Sequence, residues 1–132
     1  MIADFDPAVE MPRLADSLIA TFTEILRQPI GFDRDSLVVV DRFVTANGVS
    51  MQDDQRMIMA VGAYLGECII VAYGGSWERD AHGFAVNLGD DFRVFPIVKA
   101  LKHFQNGAED SSLSLFDLLP RHLSGTLADR IE

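Results

Sequence analysis

The stretch Gly62–Trp77, GAYLGECIIVAYGGSW, decides the fold because it sets one carboxylate, Glu67, in a long apolar run. The run Met57–Ala72 is apolar nearly all the way round a helix, which is typical of a helix that is buried on every side. We predict that this central helix begins after a cap at Ser50 or Asp53. Its end is predicted at Tyr73, because two glycines follow.

Two further helices are predicted on the N-terminal side. Pro12–Arg27 carries a stripe of leucine, isoleucine and phenylalanine at helical spacing, with Pro12 in the first turn. Leu37–Val44 is rich in β-branched residues, so a strand is an alternative. We favour a short helix there, because Ser36 suits an N-cap and Asn47-Gly48 suits a helix stop.

The rest of the chain predicts a small sheet followed by helices. Residues Ile97, Val98, Leu101 and Phe104 share one predicted helical face. The predicted strands are Ser76–Asp80, Phe84–Leu88 and Phe92–Phe95, and the predicted helices are Ile97–Gln105, Leu113–Leu119 and Leu123–Ile131. The expected fold is α+β, with N-terminal helices, a central buried helix, a three-stranded antiparallel meander and C-terminal helices.

Composition limits the classes of protein to consider. The 132 residues fit a single domain, 1–132, and the formal net charge is −9. Nucleic acid and anionic membranes repel such a charge, so we expect neither as a partner, whereas a basic protein is allowed. The acidic start and the single cysteine, Cys68, predict a cytoplasmic protein without a disulfide framework.

Gly62 and Gly66 lie four residues apart and share one face of the central helix. Each glycine costs about 1 kcal/mol relative to alanine inside a helix. We therefore predict that another element packs very close to this face. The alternative is a bound ligand that touches the bare backbone.

Glu67 should have a partner, because a lone buried carboxylate is strongly penalised. The candidates are Arg42, Arg56, the indole N–H of Trp77 and the backbone N–H groups near Gly75. The favoured interpretation is a structural anchor between the helix and the meander. The alternatives are an exposed carboxylate, or an acid with a raised pKa that binds a small molecule or catalyses a reaction.

Catalytic and metal motifs are absent from the sequence. The three histidines, His82, His103 and His122, show no metal spacing, and no Gly-x-Ser-x-Gly elbow or phosphate loop occurs. Asp110-Ser111-Ser112 is typical of a helix cap. Cys68 is interpreted as an inert, small apolar residue. No catalytic residue, no metal and no cofactor is therefore predicted.

Three acidic pairs lie at predicted turns or helix starts: Asp53-Asp54, Asp90-Asp91 and Glu109-Asp110. Solvated caps that interact with helix dipoles are the ordinary explanation. If folding brings two pairs together, they form an acidic patch that steers a basic partner.

Part of the chain resembles small bacterial domains of unknown function. The similar features are a Gly-x-x-x-Gly-Glu helix at Gly62–Glu67 and a Gly-x-x-Trp strand at Gly74–Trp77, followed by Phe95-Pro96 and a helix with Lys99 and Lys102 that ends at Asn106-Gly107. The resemblance covers about Met57–Leu119. It implies a bacterial source and transfers no catalytic residue.

The leading functional hypothesis is a non-enzymatic protein-binding domain, such as an acidic immunity-type protein that blocks a basic partner. Its expected contact residues are Asp90, Asp91, Glu109 and Asp110. The second hypothesis is a small-molecule binder or enzyme that uses Tyr64, Glu67 and Trp77 in a pocket. The third is a homodimeric structural module.

Overall fold

The described residues of the computed structural model, 6–120, form an α+β fold, as predicted. The helices are α1 (Pro7–Leu26), α2 (Arg34–Asn47), α3 (Gln55–Tyr73), α4 (Pro96–Asn106) and α5 (residues 112–120), and the strands are β1 (Ser76–Asp80), β2 (Gly83–Asn87) and β3 (Arg93–Val94). Short 3-10 turns, Gly48–Met51 and Gly107–Asp110, follow α2 and α4. The predicted helix Leu123–Ile131 lies outside the described residues.

Helix α3 occupies the centre of the molecule, which confirms the main prediction. Nine of its residues are buried, from Ile58 to Ile69, and α1 and α4 pack on it. In the described part of the chain, α3 is the one helix long and apolar enough to cross a membrane, a test that core helices also pass. Half of that apolar window is buried within the fold.

The sheet is an antiparallel meander in the order β1-β2-β3, again as predicted. Trp77 on β1 lies opposite Val86 on β2, and Val86 lies opposite Val94 on β3. Strand β1 has the predicted bounds. Strand β2 begins one residue earlier than predicted, and β3 has only two residues.

Helix starts differ from the prediction where an aspartate provides the better cap. Helix α1 begins at Pro7, because Asp6 accepts a hydrogen bond from the N–H of Ala8, so Pro12 lies inside the helix and not in its first turn. Ser36 does not cap α2. Asp33 does, through a 2.8 Å bond from the N–H of Ser36, and α2 is a helix and not a strand.

Neither Ser50 nor Asp53 caps α3. Its cap is Asp54, which accepts a hydrogen bond from the N–H of Met57 at 3.1 Å. Ser50 lies in the 3-10 turn before α3, where its hydroxyl donates to the carbonyl of Asn47 and not to α3. The end of α3 at Tyr73, before Gly74, is as predicted.

The apolar face predicted for α4 is buried only in part. The buried residues are Pro96, Ala100, His103 and Phe104. Val98 and Leu101 are instead 42% and 39% exposed. Large aliphatic side chains of α4 therefore remain at the surface.

Candidate functional site

Glu67 anchors the central helix to the sheet. The indole N–H of Trp77 donates to Glu67 Oε2 at 2.7 Å, and Glu67 is half-buried. Trp77 is 8% exposed, so its N–H would be costly to leave without an acceptor. The bond joins α3 to β1 and supports the structural interpretation of this carboxylate.

The two helical glycines give space to neighbouring elements. A Cβ added at Gly66 would lie 2.1 Å from Cζ2 of Trp77. A Cβ added at Gly62 would lie 2.6 Å from the Cα of Ile97 at the start of α4. Both distances are far inside van der Waals contact, so the indole ring and α4 need bare backbone at these positions. Close packing, and not a ligand, accounts for the glycine pair.

Tyr64 and Cys68 lie on the buried side of α3 and have no exposed surface. The Tyr64 hydroxyl donates to the carbonyl of Gly31 at 2.7 Å, and burial raises the pKa of this phenol. Burial also raises the pKa of the Cys68 thiol to about 12. The thiolate is therefore scarce near neutral pH, as expected of an inert cysteine.

The residues of the predicted small-molecule pocket each have their own partner. Tyr64 bonds to the loop between α1 and α2, whereas Glu67 and Trp77 bond to one another. None of them lines the grooves described below. These bonds favour the anchor over the pocket.

The predicted acidic contact residues lie on two separate elements. Asp90 and Asp91 are exposed in the turn between β2 and β3, both with positive φ, and the Asp91 carboxylate is 3.7 Å from the Arg93 guanidinium. Glu109 and Asp110 lie in the 3-10 turn after α4, where Glu109 is exposed.

Asp91 and Asp110 have basic neighbours. Arg93 also bonds to Glu78 on β1, and Asp110 is 3.4 Å from Lys99 Nζ. A hydrogen bond from Asn106, helped by Lys99, outweighs the effect of desolvation and holds the pKa of Asp110 below its usual value. The acidic residues are therefore partly neutralised locally, and a joint patch of the two pairs stays a prediction.

Sequence reasoning missed a buried polar cluster around His103, which is fully buried on α4. The N–H of Ser112 donates to His103 Nδ1 at 3.3 Å, so Nδ1 is the unprotonated nitrogen. The Nε2–H group then donates to the Thr45 hydroxyl at 2.8 Å. Burial lowers the pKa of His103, although the Asp41 carboxylate 3.7 Å away acts in the opposite direction.

Asp41 on α2 holds the start of α5. Its Oδ1 accepts hydrogen bonds from the Ser111 hydroxyl at 2.7 Å and from the N–H of Leu113 at 2.9 Å. Ser111 also accepts a bond from the N–H of Ser114, as a helix cap does. The cluster thus joins α2, α4 and α5.

The geometry of this cluster does not match a Ser-His-Asp relay. Such a relay uses one ring nitrogen for the serine and the other for the carboxylate. Here the Ser112 hydroxyl, at 3.0 Å, and the Asp41 carboxylate both face Nδ1 of His103. Ser112 is only 1% exposed, so a substrate cannot reach its hydroxyl. The cluster is structural.

A groove of about 250 Å³ runs between α3 and α4, and five of its six lining side chains are apolar. We call it the apolar groove: Gln55, Ile58, Met59, Ile97, Val98 and Leu101. A second groove of similar volume adjoins it at Val98. We call this one the lysine groove: Val94, Phe95, Val98, Lys99, Lys102 and Leu115.

A larger groove of about 400 Å³ lies between α1 and the start of α3. Its polar lining includes Ser17, Thr21, Asp54 and Arg56. Asp54 caps α3, so its carboxylate already accepts a hydrogen bond from the N–H of Met57. Among the described residues, no group of three or more histidine, cysteine, aspartate or glutamate side chains could hold a metal ion.

Comparison with known proteins gives no relative for this chain. No family model, no curated protein and no solved structure matches it. The resemblance to small bacterial domains therefore stays a prediction, and the geometry above carries the functional argument.

Proposed function

We propose that this chain is a non-enzymatic protein-binding domain of bacterial type that acts in the cytoplasm, and that its contact surface is the apolar groove. The observation that carries the proposal is the exposure of Val98 and Leu101 beside a groove lined mainly by aliphatic side chains. Single exposed apolar residues are ordinary, whereas apolar residues gathered around one concave surface are typical of protein contact sites.

The packing of α4 supports this interpretation. Its most apolar stripe is only partly buried, although Gly62 lets the helix approach α3 as closely as backbone contact allows. The apolar stripe of α4 thus remains exposed even though α4 packs closely on α3, and it is available to a partner. The polar residues with catalytic potential, His103 and Ser112, are instead enclosed and hydrogen-bonded.

The test is affinity capture from cytosol of the source organism with four forms of the full chain. The variants Val98→Asp and Leu101→Asp place a charge in the groove, and Val71→Asp is the control, because Val71 is 66% exposed and does not line the groove. A partner retained by wild type and by the control, and lost with both groove variants, supports the proposal. Identical sets of captured proteins for all four forms would refute it.

Self-association is the second candidate, because the same exposed apolar stripe can bury itself against another copy. Light scattering on the same four proteins distinguishes the two. A wild-type dimer that becomes monomeric in Val98→Asp assigns the groove to a homodimer, as in a structural module. A wild-type monomer leaves the groove to a different protein.

Binding of a basic partner by the acidic residues is the third candidate, favoured by the net charge of −9 and by the 94% exposure of the Asp91 side chain. Changing Asp90, Asp91, Glu109 and Asp110 together to their amides should release such a partner, and added salt should weaken its binding. A partner that stays bound after both changes does not bind at these acidic residues.

A further inference from the structure

We propose that the partner inserts an acidic amphipathic helix into the apolar groove; this inference rests on the proposed function. The shape of the groove is the first argument. Two packed helices line it, with Gln55, Ile58 and Met59 from α3 at the spacing i, i+3, i+4. A furrow between two helices accepts a third helix, whose side chains enter at the same spacing.

The charge around the groove is the second argument. The chain has only two lysines, Lys99 and Lys102, and both line the lysine groove that adjoins the apolar groove at Val98. Among the residues that the structure describes, none that lines either groove is acidic. A chain of net charge −9 thus places both of its lysines beside the apolar groove.

Of the two lysines, Lys102 is the more available to a partner. Lys99 is paired with Asp110 at 3.4 Å. Lys102 is exposed and makes no ion pair within the part of the chain that the structure describes, although the Asp110 carboxylate interacts with it electrostatically. At physiological salt the screening length is about 8 Å, so carboxylates farther away have little influence on a helix in the groove.

The two features have different roles in binding. Burial of aliphatic side chains supplies most of the affinity, because exposed ion pairs contribute little. The lysines select the partner, since a helix with basic residues on its flank would meet like charge there. The expected partner segment is therefore a helix with leucine-like residues on one face and glutamate or aspartate beside them.

The experiment uses two labelled peptides of about 18 residues with the same leucine stripe at helical spacing. One has glutamate at its polar positions and the other has lysine. Fluorescence anisotropy measures their binding to the full chain at physiological salt. Val98→Asp tests the groove, and Lys102→Glu tests the charge beside it. Arg42→Glu is the control for Lys102→Glu, because it changes the net charge by the same amount at an exposed position on α2.

We expect the glutamate peptide to bind wild type and to lose its binding in Val98→Asp. Lys102→Glu should weaken it about threefold to tenfold, as reversal of one exposed charge does, and Arg42→Glu should leave it nearly unchanged. Any binding of the lysine peptide should persist in Val98→Asp, because that peptide would bind acidic residues elsewhere.

Three results would overturn the inference. The first is that the glutamate peptide fails to bind wild type, and the second is that it binds Val98→Asp as well as it binds wild type. The third result is that Val98→Asp abolishes binding of the lysine peptide and not of the glutamate peptide. The capture experiment separates this failure from that of the proposed function. A captured partner that depends on Val98 and Leu101, together with a preference for the lysine peptide, keeps the function and rejects the acidic helix.

Discussion

Replacing Gly66 with alanine tests the contact between α3 and the sheet. The added methyl group would lie 2.1 Å from Cζ2 and 2.3 Å from Cη2 of Trp77. The rigid indole ring must tilt, or the helix must move, before the methyl group fits. A tilt also draws the indole N–H away from Glu67, which accepts its hydrogen bond at 2.7 Å.

The size of the effect follows from two opposing contributions. Overpacking a well-filled core costs about 1–3 kcal/mol, and an overlap this deep with a rigid ring belongs near the upper value. Alanine recovers about 1 kcal/mol of helix propensity relative to glycine. We therefore expect Gly66→Ala to lower the free energy of unfolding by about 2 kcal/mol.

The same substitution should have the opposite sign when the indole is removed. Trp77→Leu lacks the ring atoms that the methyl group meets, so only the propensity gain remains. In that background Gly66→Ala should stabilise by about 1 kcal/mol, which gives a coupling free energy of about 3 kcal/mol.

The assay is urea unfolding followed by far-ultraviolet circular dichroism, because Trp77 is the single tryptophan and its loss removes the fluorescence signal. Gly62→Ala is the matched control. Its methyl group would meet Ile97 and not Trp77, so its cost should be the same in both backgrounds. Equal costs of Gly66→Ala with and without the indole would show that the Trp77 ring does not pack against Gly66.

Three further predictions concern buried polar groups. Glu67→Ala should cost about 1–3 kcal/mol in urea unfolding, because it leaves a buried indole N–H unpaired, whereas Glu67→Gln keeps an acceptor and should cost less; equal, negligible costs would contradict the anchor. Burial lowers the pKa of His103 below its ordinary value of 6.5, so the unfolded chain binds more protons than the folded chain. The contribution of neutral His103 to the free energy of unfolding should therefore be fully present above pH 6.5 and should fall as the pH drops toward the lowered pKa. His103→Asn should flatten this part of the stability–pH curve, whereas the control His82→Asn, in the exposed hairpin turn, should not. A wild-type curve without the fall would contradict the burial of a neutral His103. The Cys68 thiol, with its pKa raised to about 12, should react with a thiol reagent only as fast as the protein opens, and immediate labelling of native protein would contradict its burial.

The sequence predicted the central part of the fold well. Continuous apolarity from Met57 to Ala72 leaves little choice but a buried helix, and the two glycines after Tyr73 end it. The Glu67 partner was among four candidates. Its identity depends on how β1 folds back over the Gly66 face, and no local pattern specifies that angle.

The errors have physical causes as well. For α4, the apolar stripe predicts the shared face but not which residues are buried, because Ala100 and His103 are buried while Val98 and Leu101 are exposed. The His103 cluster was missed because Asp41 lies far away in the sequence. The available signal was a histidine between Ala100 and Phe104, on a stripe of small and aromatic residues.

This architecture has α3 as its innermost element, held to the sheet by Trp77 and flanked by the open groove beside α4. Native-state hydrogen exchange tests it most directly, because it reports the opening free energy of each backbone amide. We expect the amides of residues 58–69 to exchange only through global unfolding and to be the slowest in the chain. Faster exchange there than in α1 or α4 would contradict it.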